Sequence, residues 1–191
     1  MTLFTAWIDE SGSNQALDPG TYILSATICG QAYAETARET MRQLLVVKGG
    51  KLHWRDEERR RQQRITETLA TLQVEHLIVV RSDAATTDRP ERQRRLCMER
   101  LLPELVSFGV STAILESRGR KDDQRDHQTL DHLRRKHMLH GRLHLDHLGG
   151  RAEPMLWISD ACCGAVTQMR SGDPQLYSLI EHKVTLINVG T

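Results

Sequence analysis

The 191 residues are 39% hydrophobic and 27% charged, with 4% aromatic and a formal net charge of +1. That balance excludes wholesale disorder and leaves enough apolar side chains, mostly aliphatic, to bury a core in one domain spanning 1–191. No apolar run approaches the roughly 18 residues of a membrane span, and no basic segment leads into an apolar one at the start, so a cytoplasmic protein is expected.

"LFTAWI" (3–8) and "TYILSATICG" (21–30) read as strands joined by the turn-rich "SGSNQALDPG", which predicts an antiparallel hairpin. Tyr33, Ala37, Met41, Leu44 and Leu45 then recur at helical spacing, and the glycines of "KGGK" (48–51) end that helix. "KLHW" (51–54) precedes a helix carrying Ile65, Leu69 and Leu72 on one face. "VEHLIVV" (74–80) is a strand, residues 90–108 a helix stopped by Gly109, and "VSTAILE" (110–116) another strand. A charged, histidine-rich stretch (122–147) is predicted as one long helix. After the loop "GGRAEP", "MLWISD" (155–160) is predicted as a strand running into the small-residue helix "ACCGAVTQM", and "HKVTLINV" (182–189) as a last strand. This alternation predicts an α/β domain with a partly parallel sheet and helices on its faces.

Cys29, Cys97, Cys162 and Cys163 form no C-x-x-C pair, and an adjacent pair suits neither a disulfide framework nor a zinc knuckle, so buried free thiols are expected. Charge is uneven. Residues 1–50 hold three Lys/Arg against five acids, 51–150 twenty against sixteen, and 151–191 three against four. "RRRQQR" (59–64), "RPERQRR" (89–95) and "RRK" (134–136) favour nucleic acid only weakly, because such clusters on helices are commonly solvated faces balanced by nearby acids.

Sites in α/β sheets collect at the carboxyl ends of strands. Three acids are predicted there: Asp9 after "LFTAWI", Glu116 closing "VSTAILE" and Asp160 closing "MLWISD". Each has a structural explanation of its own. Asp9 with Ser11 and Gly12 initiates a turn, Glu116 pairs with Arg118 or Arg120, and Asp160 caps the following helix. Jointly they suit a pair of hard divalent cations, Mg²⁺ or Mn²⁺, of the kind that hydrolyses phosphodiesters.

"IDESG", "KLHW", "LESR" and "LWISDACCGAV", in that order along most of the chain, resemble the bacterial domain of unknown function family 3800. The resemblance implies a ribonuclease H-like mixed β-sheet with helices on both faces. It also implies metal ligation by Asp9, Glu116 and Asp160 and a nuclease acting on RNA or DNA. A fourth acid is commonly taken in that fold from the helix after the hairpin. Glu35 and Glu39 are poor candidates for it, with Asp122, Asp123 or Asp126 as substitutes. An incomplete ligand set leaves a second reading, a non-catalytic nucleic-acid-binding or assembly module.

Glu10 alternates to the opposite side of the strand from Asp9. Lys51 and His53 flank Leu52 and point the same way if the segment is extended, where they suit a scissile phosphate and a proton shuttle. A surface lysine and a packed histidine are the alternative. Arg118, Arg120, Lys121 and Arg125 follow Glu116 closely and are expected to hold a phosphate backbone. Trp54 and Trp157 read as core or rim residues. His137, His140, His144 and His147 would share a stripe on a continuous helix and offer a third reading, a zinc site, although Gly141 and the absence of an H-E-x-x-H pattern favour a solvated or packed face.

Overall fold

A computed structural model of the chain describes residues 3–47, 49–82, 84–85, 88–139 and 143–190. Its strands are β1 (Phe4–Gly12), β2 (Tyr22–Gly30), β3 (Glu75–Arg81), β4 (Val110–Glu116), β5 (His144–Leu148) and β6 (Val184–Val189). The helices are α1 (Gln31–Gln43), α2 (Arg59–Thr71), α3 (Pro90–Ser107), α4 (Arg120–Arg135), α5 (Pro154–Arg170) and the single turn α6 (Tyr177–Ile180). All six strands join one sheet in the order β5-β4-β1-β2-β3-β6. The pairs β1/β2 and β2/β3 are antiparallel, whereas β1/β4, β4/β5 and β3/β6 are parallel, so the sheet is mixed.

Strand alternation divides the core in two. Ala6 and Ile8 of β1, Leu24 and Ala26 of β2, Leu77 and Val79 of β3, and Ala113 and Leu115 of β4 pack beneath α3 and α4. Trp7, Ile23, Ile78 and Val80 face the other way, against α1, α2, α5 and α6. Because the side-chain period is two, Asp9 and Glu116 share the α5 face with Trp7 and Ile114, and Glu10 is delivered to the α3/α4 face with Ile8. That parity fixes which acids can meet.

Two local expectations are corrected. Residues 155–160 are not a strand but the first turns of α5, which is buried on every side from Pro154 through Val166. A helix inserted that deeply shows no polar stripe, so its run of apolar residues reads like a buried strand. The predicted helix over 122–147 is also shorter. α4 stops at Arg135, His137 adopts a left-handed φ of 54°, and His144 and His147 lie on β5. The histidines therefore share no helical stripe, and His140 lies outside the described residues. β5 is a five-residue edge strand rich in His and Asp, a composition that gives little strand signal.

α5 is tied to α1 at its start and to the sheet midway along its buried stretch. The Glu153 carboxylate accepts from Met155 N at its first turn and receives a two-pronged bond from Arg38 of α1, at 2.8 and 2.9 Å. Further along, Ser159 Oγ donates to Trp7 O (2.7 Å) and lies 2.9 Å from Thr27 Oγ1, which in turn meets His76 Nδ1 at 3.1 Å. All four cysteines are free and buried. No described helix is long and apolar enough to cross a membrane.

Candidate active site

A cleft of about 390 Å³ opens at the end of the sheet where β1 and β4 finish their pairing, lined by Asp9, Glu116, Asp160, Lys51, His53 and Arg118 among others. Asp9 follows Ile8, whose partner Leu115 precedes Glu116, so the two carboxylates leave adjacent parallel strands side by side. β1 itself continues to Gly12 through its pairing with β2, so Asp9 stands at the end of the β1/β4 ladder, not of the strand. Asp160 comes from the second turn of α5, one residue after the Ser159 anchor. The apolar run before it predicts a strand end, but Asp160 reaches the cleft from a helix.

The segment 51–54 braces this group. Leu52 is inserted into the core at 1% exposure, and the extended backbone at His53 turns Lys51 and His53 to the same side. Lys51 Nζ reaches both oxygens of Glu116, at 2.5 and 2.8 Å. His53 Nδ1 lies 3.0 Å from Asp160 Oδ2, and Trp54 N donates to that same oxygen at 2.9 Å. Trp54 is buried and its ring lies over Gly164, where a Cβ would fall 2.1 Å from the indole. The glycine thus lets a short turn approach α5 closely enough to reach Asp160. Sequence reading missed this backbone donor, which no side-chain pattern reports.

Burial, together with the negative charges of Asp160 and Glu116, pushes the Asp9 carboxyl up to about 8. Its described hydrogen bond is a local one, from Glu10 N at 2.8 Å. A carboxylate disfavoured by two neighbouring carboxylates is the arrangement a bound cation relieves, and three hard oxygen donors suit Mg²⁺ or Mn²⁺. Among the described residues, however, no three His, Cys, Asp or Glu side chains stand ready to hold an ion as placed. Glu116 is held by Lys51, and one oxygen of Asp160 by His53 and Trp54.

The remaining acids are committed elsewhere. Glu10 faces α3 and pairs with Arg94, and Asp126 takes the other side of that guanidinium at 2.9 and 2.8 Å. Burial opposes ionisation of Asp126, yet hydrogen bonds from Arg94 and His147 hold its carboxyl down to about 2. Asp123 accepts from Ser117 Oγ and Arg118 N at the start of α4, and Asp122 pairs with Arg125. Glu35 and Glu39 are exposed on α1, Glu35 bound to Arg38 and Arg42. Of these only Glu10 also lines the cleft, and its carboxylate is bonded to Arg94.

The expected phosphate contacts divide. Arg118 lines the cleft but is bonded to Glu91 and lies near Glu10 and Asp126. Arg125 is bonded to Asp122 and sits on the α3/α4 side. Arg120 and Lys121 are exposed on the first turn of α4. The basic clusters are largely balanced locally: Arg59 meets Asp173, Arg61 meets Glu57, Arg92 meets Asp88 and Arg95 meets Glu99. His147 contacts Asp126 at 3.1 Å, which accounts for it without zinc.

No protein-family model and no curated protein matches the sequence. Solved structures do. The chain is similar to the structure of the PCNA:RNase HII complex from Archaeoglobus fulgidus, with a TM-score of 0.53 and 11% identity over 94% of this chain and 78% of that one. The fold is ribonuclease H-like. Ribonuclease H2 from Pyrococcus horikoshii OT3 superposes with a TM-score of 0.50 at 9% identity, over 94% of this chain and 76% of that one. A point mutant of Bst-RNase HIII gives 0.55 at 14% identity over 95% of this chain, which spans about half (54%) of that protein's length.

Proposed function

We propose that this protein is a divalent-metal-dependent phosphodiesterase that cleaves RNA or DNA, a nuclease of the family 3800 type, with Asp9, Glu116 and Asp160 as the ligands of Mg²⁺ or Mn²⁺. The observation that carries this reading is the convergence of three carboxylates from β1, β4 and α5 on one cleft, with Asp9 driven up to about 8 by burial and by the other two. Divalent ions bound there supply a Lewis acid and an activated water for in-line attack on phosphorus. Lys51 is placed to meet a phosphate oxygen, His53 to hold Asp160 in position through Nδ1 and move a proton at Nε2, and Arg118, Arg120, Lys121 and Arg125 to hold the flanking strand. The ribonucleases among the solved neighbours support testing RNA-containing strands first.

The test is a panel of end-labelled single-stranded RNA, single-stranded DNA and RNA–DNA hybrid, each with Mg²⁺ or Mn²⁺. The expected result is cleavage of at least one strand that EDTA and Asp160→Ala both abolish. Cleavage that survives Asp160→Ala removes the ligand assignment.

One observation favours the second reading, a non-catalytic nucleic-acid-binding module: Glu116 already has a cationic partner in Lys51. That reading predicts strand binding that weakens steeply with salt and no metal-dependent turnover.

A further inference from the structure

Resting on the metal-site reading, we propose that Lys51 is the resident counter-ion of the site and competes with the divalent cation for Glu116. The acid cluster then completes its ligand set only when the ammonium leaves.

Four observations support this. First, the contact is two-pronged and sheltered: Nζ reaches both Glu116 oxygens at 2.5 and 2.8 Å, with side-chain exposures of 22% and 23%. Second, the pair is covered by backbone. A Cβ on Gly150 would fall 2.3 Å from Glu116 Oε1 and 2.7 Å from Lys51 Nζ, so the chain passes directly over the two charges. Gly150 is itself held there by Trp157 Nε1, which donates to its carbonyl at 2.5 Å. Third, Lys51 engages Glu116 alone. Asp9 accepts from a backbone amide, and Asp160 from a backbone amide and an imidazole. Fourth, no ready three-ligand group exists among the described residues, although three carboxylates line one cleft.

Leu52 anchors the lysine's backbone in the core, and the four-methylene stem gives the ammonium other rotamers to take once it leaves Glu116. A dication entering beside Lys51 meets a like charge at close range. Once displaced, the ammonium is a compact donor suited to a phosphate oxygen. The same lysine then changes from guarding a ligand to gripping the substrate.

Calorimetric titration of Mn²⁺, without nucleic acid, into the parent, Lys51→Met and Lys51→Arg tests this. Lys51→Met is expected to bind Mn²⁺ on the order of tenfold tighter, the scale of one partly solvated charge contact, and Lys51→Arg about as the parent does. A second measurement uses the parent alone: acetylation of Lys51, mapped by mass spectrometry, is expected to rise on adding Mn²⁺. Equal affinity in parent and Lys51→Met, or acetylation indifferent to Mn²⁺, overturns the competition while leaving the metal site standing. Absence of Mn²⁺ binding in all three proteins overturns the competition and the metal-site reading together.

Discussion

Ser159 Oγ donates to the main-chain carbonyl of Trp7 across 2.7 Å, joining the most buried helix to the central strand one residue before Asp160 and two before Asp9. The same hydroxyl lies 2.9 Å from Thr27 Oγ1, so one serine locks α5 against β1 and β2 at the level where the acids emerge. Cys163 Sγ, 3.6 Å from Asp9 O, continues the seam one turn on. The site is therefore positioned by bonds that are not part of it.

Ser159→Ala removes a buried donor and leaves Trp7 O and Thr27 Oγ1 short of a partner. A loss of about 1–2 kcal/mol is expected by denaturant titration. Cleavage is expected to fall further than stability alone explains, because the helical turn that carries Asp160 loses its bond to β1.

Arg94 is 2% exposed and joins Glu10 on β1 to Asp126 on α4. Arg94→Leu takes from Glu10 and Asp126 their shared guanidinium, leaving Arg118 and His147 as their partners, and a cost of about 3 kcal/mol is expected. Asp126→Asn is expected to destabilise the fold while leaving Mn²⁺ affinity as in the parent. Weakened Mn²⁺ binding in that variant would make Asp126 a fourth ligand after all.

His76 is buried beside Thr27, and that burial, with Lys183 nearby, depresses its imidazole from 6.5 to about 3. The unfolded chain binds a proton at His76 below pH 6.5, whereas the folded chain does not until about pH 3. Stability from this residue is therefore complete above pH 6.5 and falls as pH drops, at up to roughly 1.4 kcal/mol per pH unit. Compared with His76→Asn between pH 6.5 and 5, the parent is expected to show the steeper decline; parallel curves would mean that His76 is protonated in the fold.

Gly150→Ala places a methyl against the Lys51–Glu116 pair. Because the atoms it meets are the far ends of two side chains, the fold is expected to survive with a melting temperature near the parent's. Displacement of Glu116 is expected to lower cleavage by about a hundredfold, the scale of an ångström's misplacement. Full activity would show that Glu116 has slack to move.

The hairpin was legible because its strands alternate around a turn-rich loop, and Asp9 and Glu116 because each follows a conspicuous strand. Asp160 was reached through the wrong element. An all-buried helix and a buried strand share one apolar signature, so periodicity alone does not separate them. The histidines misled for the opposite reason: α4 ends in a charged stretch and β5 is a polar edge strand, so helical spacing ran on across a break that His137 makes with its left-handed backbone. Spacing in "KLHW" did indicate that Lys51 and His53 share a side. The partners they take, Glu116 and Asp160, lie 65 and 107 residues away, and no local pattern encodes such separations.

Calorimetric titration of Mn²⁺ into the parent and Asp9→Asn tests the proposed divalent-cation site of Asp9, Glu116 and Asp160. Saturable binding in the parent, lost in a variant that melts at or above the parent's temperature, is the predicted result. Equal binding by the two proteins, or no saturable binding by either, would contradict it.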